Sequence, residues 1–214
     1  MTTPLDGVTA IHNAFRRDIA DIDAAALAFA RGEQQAASTV ERFRFLNEVL
    51  VWHADGEERA IFPILEGVAP SVAEAYLKDH RGLDAAFEAV DRAYSAGDPL
   101  ETARATAAFK FHLDIHLFKE DTHLYRLFRE RVPTPEQGKA AGILAHAVPQ
   151  ERFPEAVGWM FPLLGDDDRE NMTRILKMVN PPEVFAGAAR LIRKAIGEGW
   201  TELERRIPEL ASLL

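Results

Sequence analysis

The chain has 214 residues, 47% of them apolar and 28% charged, with a formal net charge of −9. This is ordinary for a globular protein and suits one sizeable core, or one domain with a smaller one appended. The acid excess leaves no basic footprint for nucleic acid or an anionic membrane surface. The absence of cysteine excludes disulfides, Fe–S clusters, thiolate zinc sites and a Cys nucleophile. No apolar run reaches the ~18–20 residues of a membrane span. Met1-Thr2-Thr3-Pro4-Leu5-Asp6 lacks the basic and apolar regions of a signal peptide, so the expected location is cytoplasmic.

In chain order, Asp6 or Thr3 can cap a first helix reaching about Ala30, with Val8, Ile11, Phe15, Ile19, Ile22 and Ala26 recurring at three and four. His12 lies on this stripe, and Arg31-Gly32 closes the helix. A second helix begins between Glu33 and Ser38 and runs through Phe43, Leu46, Leu50, His53, Glu57 and Ile61 to Pro63, which is expected to end it. After the turn Gly67–Ser71, a third helix carries Ala73, Tyr76, Leu77, His80, Leu83, Asp84, Phe87 and Val90 on one side. Ala96-Gly97-Asp98 ends it, and Pro99 suits the first turn of a fourth helix running to about Arg131. No stretch shows sustained period-two alternation. Four long helices joined by short turns predict an all-α, up-down-up-down four-helix bundle over residues 1–133.

Residues 134–214 predict a C-terminal helical extension of shorter pieces: 135–147, 151–163, 166–178, 182–196 and 198–212. Pro149, Pro154, Pro162, Asn180-Pro181-Pro182 and Gly197 punctuate them. Asp166-Asp167-Asp168 suits a helix start, and Pro182 is placed to open the helix holding Val184, Phe185, Ala188 and Leu191. The apolar faces of these helices are expected to pack on the bundle or to form a homodimer. His146 is the extension's only histidine, and no ligand cluster is visible there.

The chemistry concentrates in Phe111–His123, which holds three of the seven histidines. At about 100° per residue, His112, His116, Glu120 and His123 share a face with Phe109 and Leu127, whereas Asp121 points away. Helix two carries His53-Ala54-Asp55-Gly56-Glu57-Glu58 and helix four His116-Leu117-Phe118-Lys119-Glu120-Asp121. Both read His-x-x-x-acid-acid, with the histidine and first acid one turn apart. Each pair is preceded by a lone histidine on the previous helix, His12 or His80. A single histidine on an apolar face is more often a hydrogen-bonded core residue than a ligand. Five on four consecutive helices, two with acids at matched spacing, reverse that expectation. Two carboxylates flanked by imidazoles suit a pair of iron or manganese ions. Other site types lack their motifs: there is one Glu-x-x-His where ferritin-like sites need two, and no His-Glu-x-x-His, Gly-x-Ser-x-Gly or phosphate-binding Gly-rich loop.

Over residues 5–131 this pattern resembles the hemerythrin family, the HHE cation-binding domain. The resemblance implies metal ligation by His12, His53, Glu57, His80, His116 and an acid after it. It also implies Glu57 and that acid as carboxylates bridging two non-haem irons (manganese or a mixed pair being alternatives), with an oxo or hydroxo bridge. Helical geometry favours Glu120 as the acid, while the His-x-x-x-x-Asp version of oxygen carriers keeps Asp121 open. Oxygen carriers have two histidines four apart on helix three, and this chain has only His80. Tyr76, Asp84 or His112 is expected to fill that gap, or the position stays open for a small ligand. The implied activity is binding of, or reaction with, O2, peroxide or NO, as an enzyme only if peroxide or NO is turned over. The alternative is an iron or oxygen sensor whose C-terminal helices respond to metal occupancy. The segment around Gly158-Trp159-Met160 also resembles those that follow hemerythrin domains in plant iron-regulatory ubiquitin ligases. Among the remaining residues, His123 is expected to orient ligands or face solvent, Glu58 and Asp114 to be solvated or salt-bridged, Asp79 to orient His80 or an Arg, and Phe15, Phe109, Phe111 and Phe118 to be core.

Overall fold

The computed structural model describes residues 5–33 and 37–213, so Thr3 lies outside the described residues. Those residues are helical and contain no strand. They form two compact units, which divide inside the first helix.

The larger unit, Phe15–Val132, is built from most of α1 (Asp6–Ala30), α2 (Ala37–Ala60), the short α3 (Phe62–Val68), α4 (Val72–Ala96), α5 (Pro99–Lys119) and α6 (Tyr125–Arg131). Its interior follows the apolar periodicity. Ile19 and Ile22 of α1, Phe43 and Leu46 of α2, Leu83 and Val90 of α4, and Phe109, Leu113 and Leu117 of α5 are all buried. Phe43 makes an edge contact with Phe109 at 5.1 Å between centroids and stacks on Phe87 at 5.3 Å, joining three helices. Each such ring taken from water contributes about 1.5–3 kcal/mol. The buried Asp18 accepts from Arg42, tying α1 to α2 at their polar edge.

Two boundaries differ from expectation. Pro63 does not simply stop the second helix. It sits in the first turn of α3, where its missing N–H costs nothing, and the chain bends at Ile61. Helix four is not one straight rod. After Lys119 the chain makes a π-helical turn, Glu120–Leu124, before α6 resumes, and the Tyr125 N–H closes on the Glu120 carbonyl five residues back. The expected start of helix four holds: the Asp98 side chain accepts the Glu101 N–H at 3.0 Å, with Pro99 in the first turn.

The second unit joins the described residues up to Ala14 to those from Pro133 onward. It contains α7 (Thr134–Ala145), α8 (Phe153–Leu163), α9 (Asp166–Val179), α10 (Pro182–Ile196) and α11 (Trp200–Arg206). Asp166–Asp168 fill the first turn of α9 and Pro182 opens α10, as expected. The last expected piece is cut short at Arg206, where Pro208 forces a separate 3-10 turn. Ala10 and Ala14 share one apolar cluster with Val157, Phe161, Phe185, Ile192 and Leu203, and the Asn13 side-chain amide donates to Asp168 at 2.9 Å. The C-terminal helices thus close their core over the small-residue face that begins α1.

Candidate metal centre

His53 and Glu57 lie one turn apart on α2, His80 on α4, His116 on α5, and Glu120 where the π turn starts. All five are buried, the two glutamates completely. Their inward atoms converge. His53 Nε2 is 3.3 Å from Glu57 Oε1, His80 Nε2 is 3.4 Å from Glu57 Oε2, and His116 Nε2 is 3.3 Å from Glu120 Oε1. His80 Nε2 also stands 3.8 Å from Glu120 Oε1, so one imidazole faces both carboxylates. Aromatic rings enclose the imidazoles: Phe62 stacks on His80 at 5.4 Å and Phe15 lies 5.7 Å from His53.

The outward nitrogens are held too. His80 Nδ1 donates to Glu58 at 2.9 Å, and His116 Nδ1 lies 3.6 Å from Asp79, itself ion-paired with Lys119. A carboxylate behind an imidazole fixes the tautomer that presents Nε2 inward. Glu58, expected to be solvated or salt-bridged, is salt-bridged to His80 and so takes this role. Asp79 faces His116 where His80 or an Arg was expected.

Tyr125 is the site residue that helical periodicity misses. It is 1% exposed, and its hydroxyl donates to Glu57 Oε1. On a straight α-helix it would point about 180° from His116 and 140° from Glu120. The π turn brings residues five apart onto one face, so Glu120 and Tyr125 both point inward. The same turn places the two candidate acids differently. Glu120 is inside, while Asp121 is partly exposed and pairs with Arg16 at 2.6 Å.

Without a metal these groups share protons. Burial pushes the Glu57 carboxyl up, but the imidazoles of His53 and His80 outweigh it and hold it well below the usual carboxylate range. Burial and the adjacent Glu57 charge drive Glu120 well above that range. Burial would lower the His80 imidazole, yet Glu120, Glu57 and Glu58 raise it to about 11. Burial and then the Glu57 charge push the Tyr125 phenol well up. Two enclosed carboxylates therefore draw in positive charge, whether as protons or as metal ions.

The donor set fits metal ions. Glu57, His80, His116 and Glu120 offer ligand atoms all within 4.8 Å of one another, and so do His12, His53, Glu57 and Glu120, His12 being fully buried on the unbroken helix α1. Each set has two imidazoles, and both contain the same two carboxylates. Enclosed within them, Glu57 Oε2 and His80 Nε2 make no hydrogen bond. Such atoms cost about 1–3 kcal/mol each when unsatisfied, which a bound cation relieves. All six residues carried over from the resemblance fall in these sets.

The sequence profile of the hemerythrin HHE cation binding domain matches residues 3–128. The chain belongs to this family. Among curated proteins it is similar to zinc finger protein BRUTUS of Arabidopsis thaliana, 26% identical over 179 residues, covering 80% of this chain and 14% of that protein. It is also similar to a BRUTUS-like zinc finger protein of the same plant, 25% identical over 183 residues, covering 81% and 15%. The chain thus spans about a seventh of the length of these relatives. No solved structure matches it significantly. An alignment covering 80% of 214 residues necessarily includes Gly158-Trp159-Met160, so the similarity continues past the hemerythrin domain.

The residues proposed to fill the helix-three gap do not join the donor sets. The buried residues of α5 put its inward direction near Leu113 and between His116 and Leu117, which leaves His112 about 85° off and exposed. The Tyr76 hydroxyl donates to the Lys119 carbonyl at 3.1 Å, and Asp84 is exposed. His123 faces solvent. Phe111 and Phe118, expected in the core, are 63% and 61% exposed because they lie opposite that inward direction; Phe15 and Phe109 are fully buried.

Proposed function

We propose that this hemerythrin-family protein holds a pair of non-haem irons bridged by Glu57 and Glu120, together with an oxo or hydroxo bridge, and that it binds or reacts with O2, peroxide or NO. The observation that carries this reading is that two four-donor sets share both carboxylates. His12 and His53 would hold one ion, and His80 and His116 the other. When bound, iron supplies redox capacity and an open position for a small ligand. The chain's own residues do the rest. Phe15 and Phe62 exclude water beside the imidazoles. Glu58 and Asp79 keep two Nε2 atoms pointed inward, and Tyr125 orients Glu57 through Oε1. Because α4 supplies one histidine and His112 stays outside, the ligand shell is poorer in imidazole than an oxygen carrier's, which favours reaction over reversible carriage. The protein would act in the cytoplasm, without nucleic-acid or membrane partners, and dimerise through its C-terminal helices. No helix among the described residues is long and apolar enough to cross a membrane.

The test is the optical spectrum of the iron-loaded protein as O2, H2O2 or NO is added. A change with at least one supports the reading, and no change with any of them refutes it. A second reading, an iron or oxygen sensor, draws on the similarity to the curated relatives continuing past residue 128 into the C-terminal region. It requires proteolytic cleavage near residues 131–150 to change with iron occupancy.

A further inference from the structure

Two cavities in the bundle reach His116, and their linings differ in charge. The one bordered by α4 and α5 is about 200 Å³ and mixes Lys78 with Asp79, whose charge Lys119 balances. The other, about 80 Å³, lies between α2 and α4. Its inner wall is His53, His80 and His116, and its acidic groups are Asp55, Glu58 and Asp84; no Lys or Arg lines it. Arg59 approaches Asp55 only at 3.9 Å, with both side chains about 60% exposed, so that pairing is heavily screened. At the inner end His80 is 5% exposed, and its Nε2 makes no hydrogen bond. Glu58 links the two ends, for its side chain is 36% exposed while its Oε1 accepts from His80 Nδ1.

We propose that this acid-lined cavity is the route by which a divalent cation reaches the centre, with Asp55 and Asp84 collecting the ion and Glu58 passing it inward to His80. The inference rests on the metal-binding reading of the site and adds how that site is filled. Carboxylates on the low-dielectric walls of a narrow cleft concentrate cations and raise association rates by about 10–10³-fold. A volume well above the roughly 10–15 Å³ that one water needs leaves room for a cation that keeps part of its hydration. An anion entering here would meet three carboxylates and no Lys or Arg before it reached the imidazoles, so the mouth of the route discriminates by sign of charge. Asp55 and Asp84 lie outside both four-donor sets, so their charge can be removed without removing a ligand.

The experiment mixes the metal-free full-length chain with Co(II) and follows cobalt absorbance in a stopped-flow instrument at low and high salt. The variants are the double substitution Asp55→Asn/Asp84→Asn, Glu58→Gln, and Glu130→Gln, which matches the single charge removed in Glu58→Gln but lies on α6 outside the cavity lining. The double variant should load about three- to tenfold more slowly at low salt, with the difference closing at high salt, and should reach the wild-type plateau and spectrum. Glu58→Gln should also slow loading, and Glu130→Gln should match the wild type. Equal rates for the double variant and wild type overturn the route while leaving the metal site standing. A lower cobalt plateau in the double variant overturns it as well, since those residues would then hold metal rather than guide it. If the wild-type chain takes up no cobalt, the metal reading and the route fall together.

Discussion

Tyr125→Phe isolates the contact that periodicity could not show. The substitution keeps a ring that is 1% exposed and removes only the hydroxyl that donates to Glu57 Oε1. Glu57 is fully buried and held ionised by His53 and His80, so the lost bond is one to a charged acceptor. Such bonds are worth about 1.5–3 kcal/mol, against about 0.5–1.5 for neutral pairs. For a chain of this size the cost corresponds to a fall of roughly 3–12 °C in the Tm of the metal-free protein. Tyr76→Phe supplies the comparison, because its hydroxyl donates to the neutral Lys119 carbonyl and should cost less. Because Tyr125 also sets the rotamer of a carboxylate common to both donor sets, metal affinity should fall about 10–100-fold. Thermal melts of metal-free protein and competition with a chelator measure the two effects. A Tyr125→Phe protein that matches wild type in both would refute the proposed role.

Further outcomes follow from the same geometry. Glu57→Ala removes a donor from both sets and should reduce metal content to well below one per chain, while His80→Ala spares the set containing His12 and should leave about one; elemental analysis decides. Metal binding should release protons and weaken as pH falls. The His80 imidazole, raised to about 11 in the metal-free protein, must lose its proton to ligate, so acid favours the competitor; calorimetry in buffers of different ionisation enthalpy would contradict this if no proton is released. Phe111→Ser and Phe118→Ser should change stability by under about 0.5 kcal/mol, because both rings are largely exposed. Phe109→Ala, by contrast, should cost roughly 3–5 kcal/mol in denaturant titrations.

What was legible in the sequence is what a regular α-helix projects. His53 with Glu57 and His116 with Glu120 are one turn apart, and His12 and His80 interrupt otherwise apolar stripes, so the helical period brings these six forward together with His112 and His123, and the family resemblance narrows the set. What was not legible depends on departures from that period or on its absolute phase. Tyr125 reaches Glu57 only because the π turn rotates everything after Glu120. Spacing groups His112 with His116, but only the full set of buried neighbours on α5 shows the inward direction passing it by. The place where the compact units divide depends on the small side chains of Ala10 and Ala14 accepting α8, α10 and α11, which composition alone does not reveal.

In the proposed centre Glu57 and Glu120 are shared by two metal ions. The most direct measurement is iron content per chain after anaerobic Fe(II) loading and removal of excess metal, made on wild type and Glu57→Ala side by side. Two irons per wild-type chain and almost none in the variant is the expected result. One iron or none in the wild type, or an unchanged count in Glu57→Ala, would contradict it.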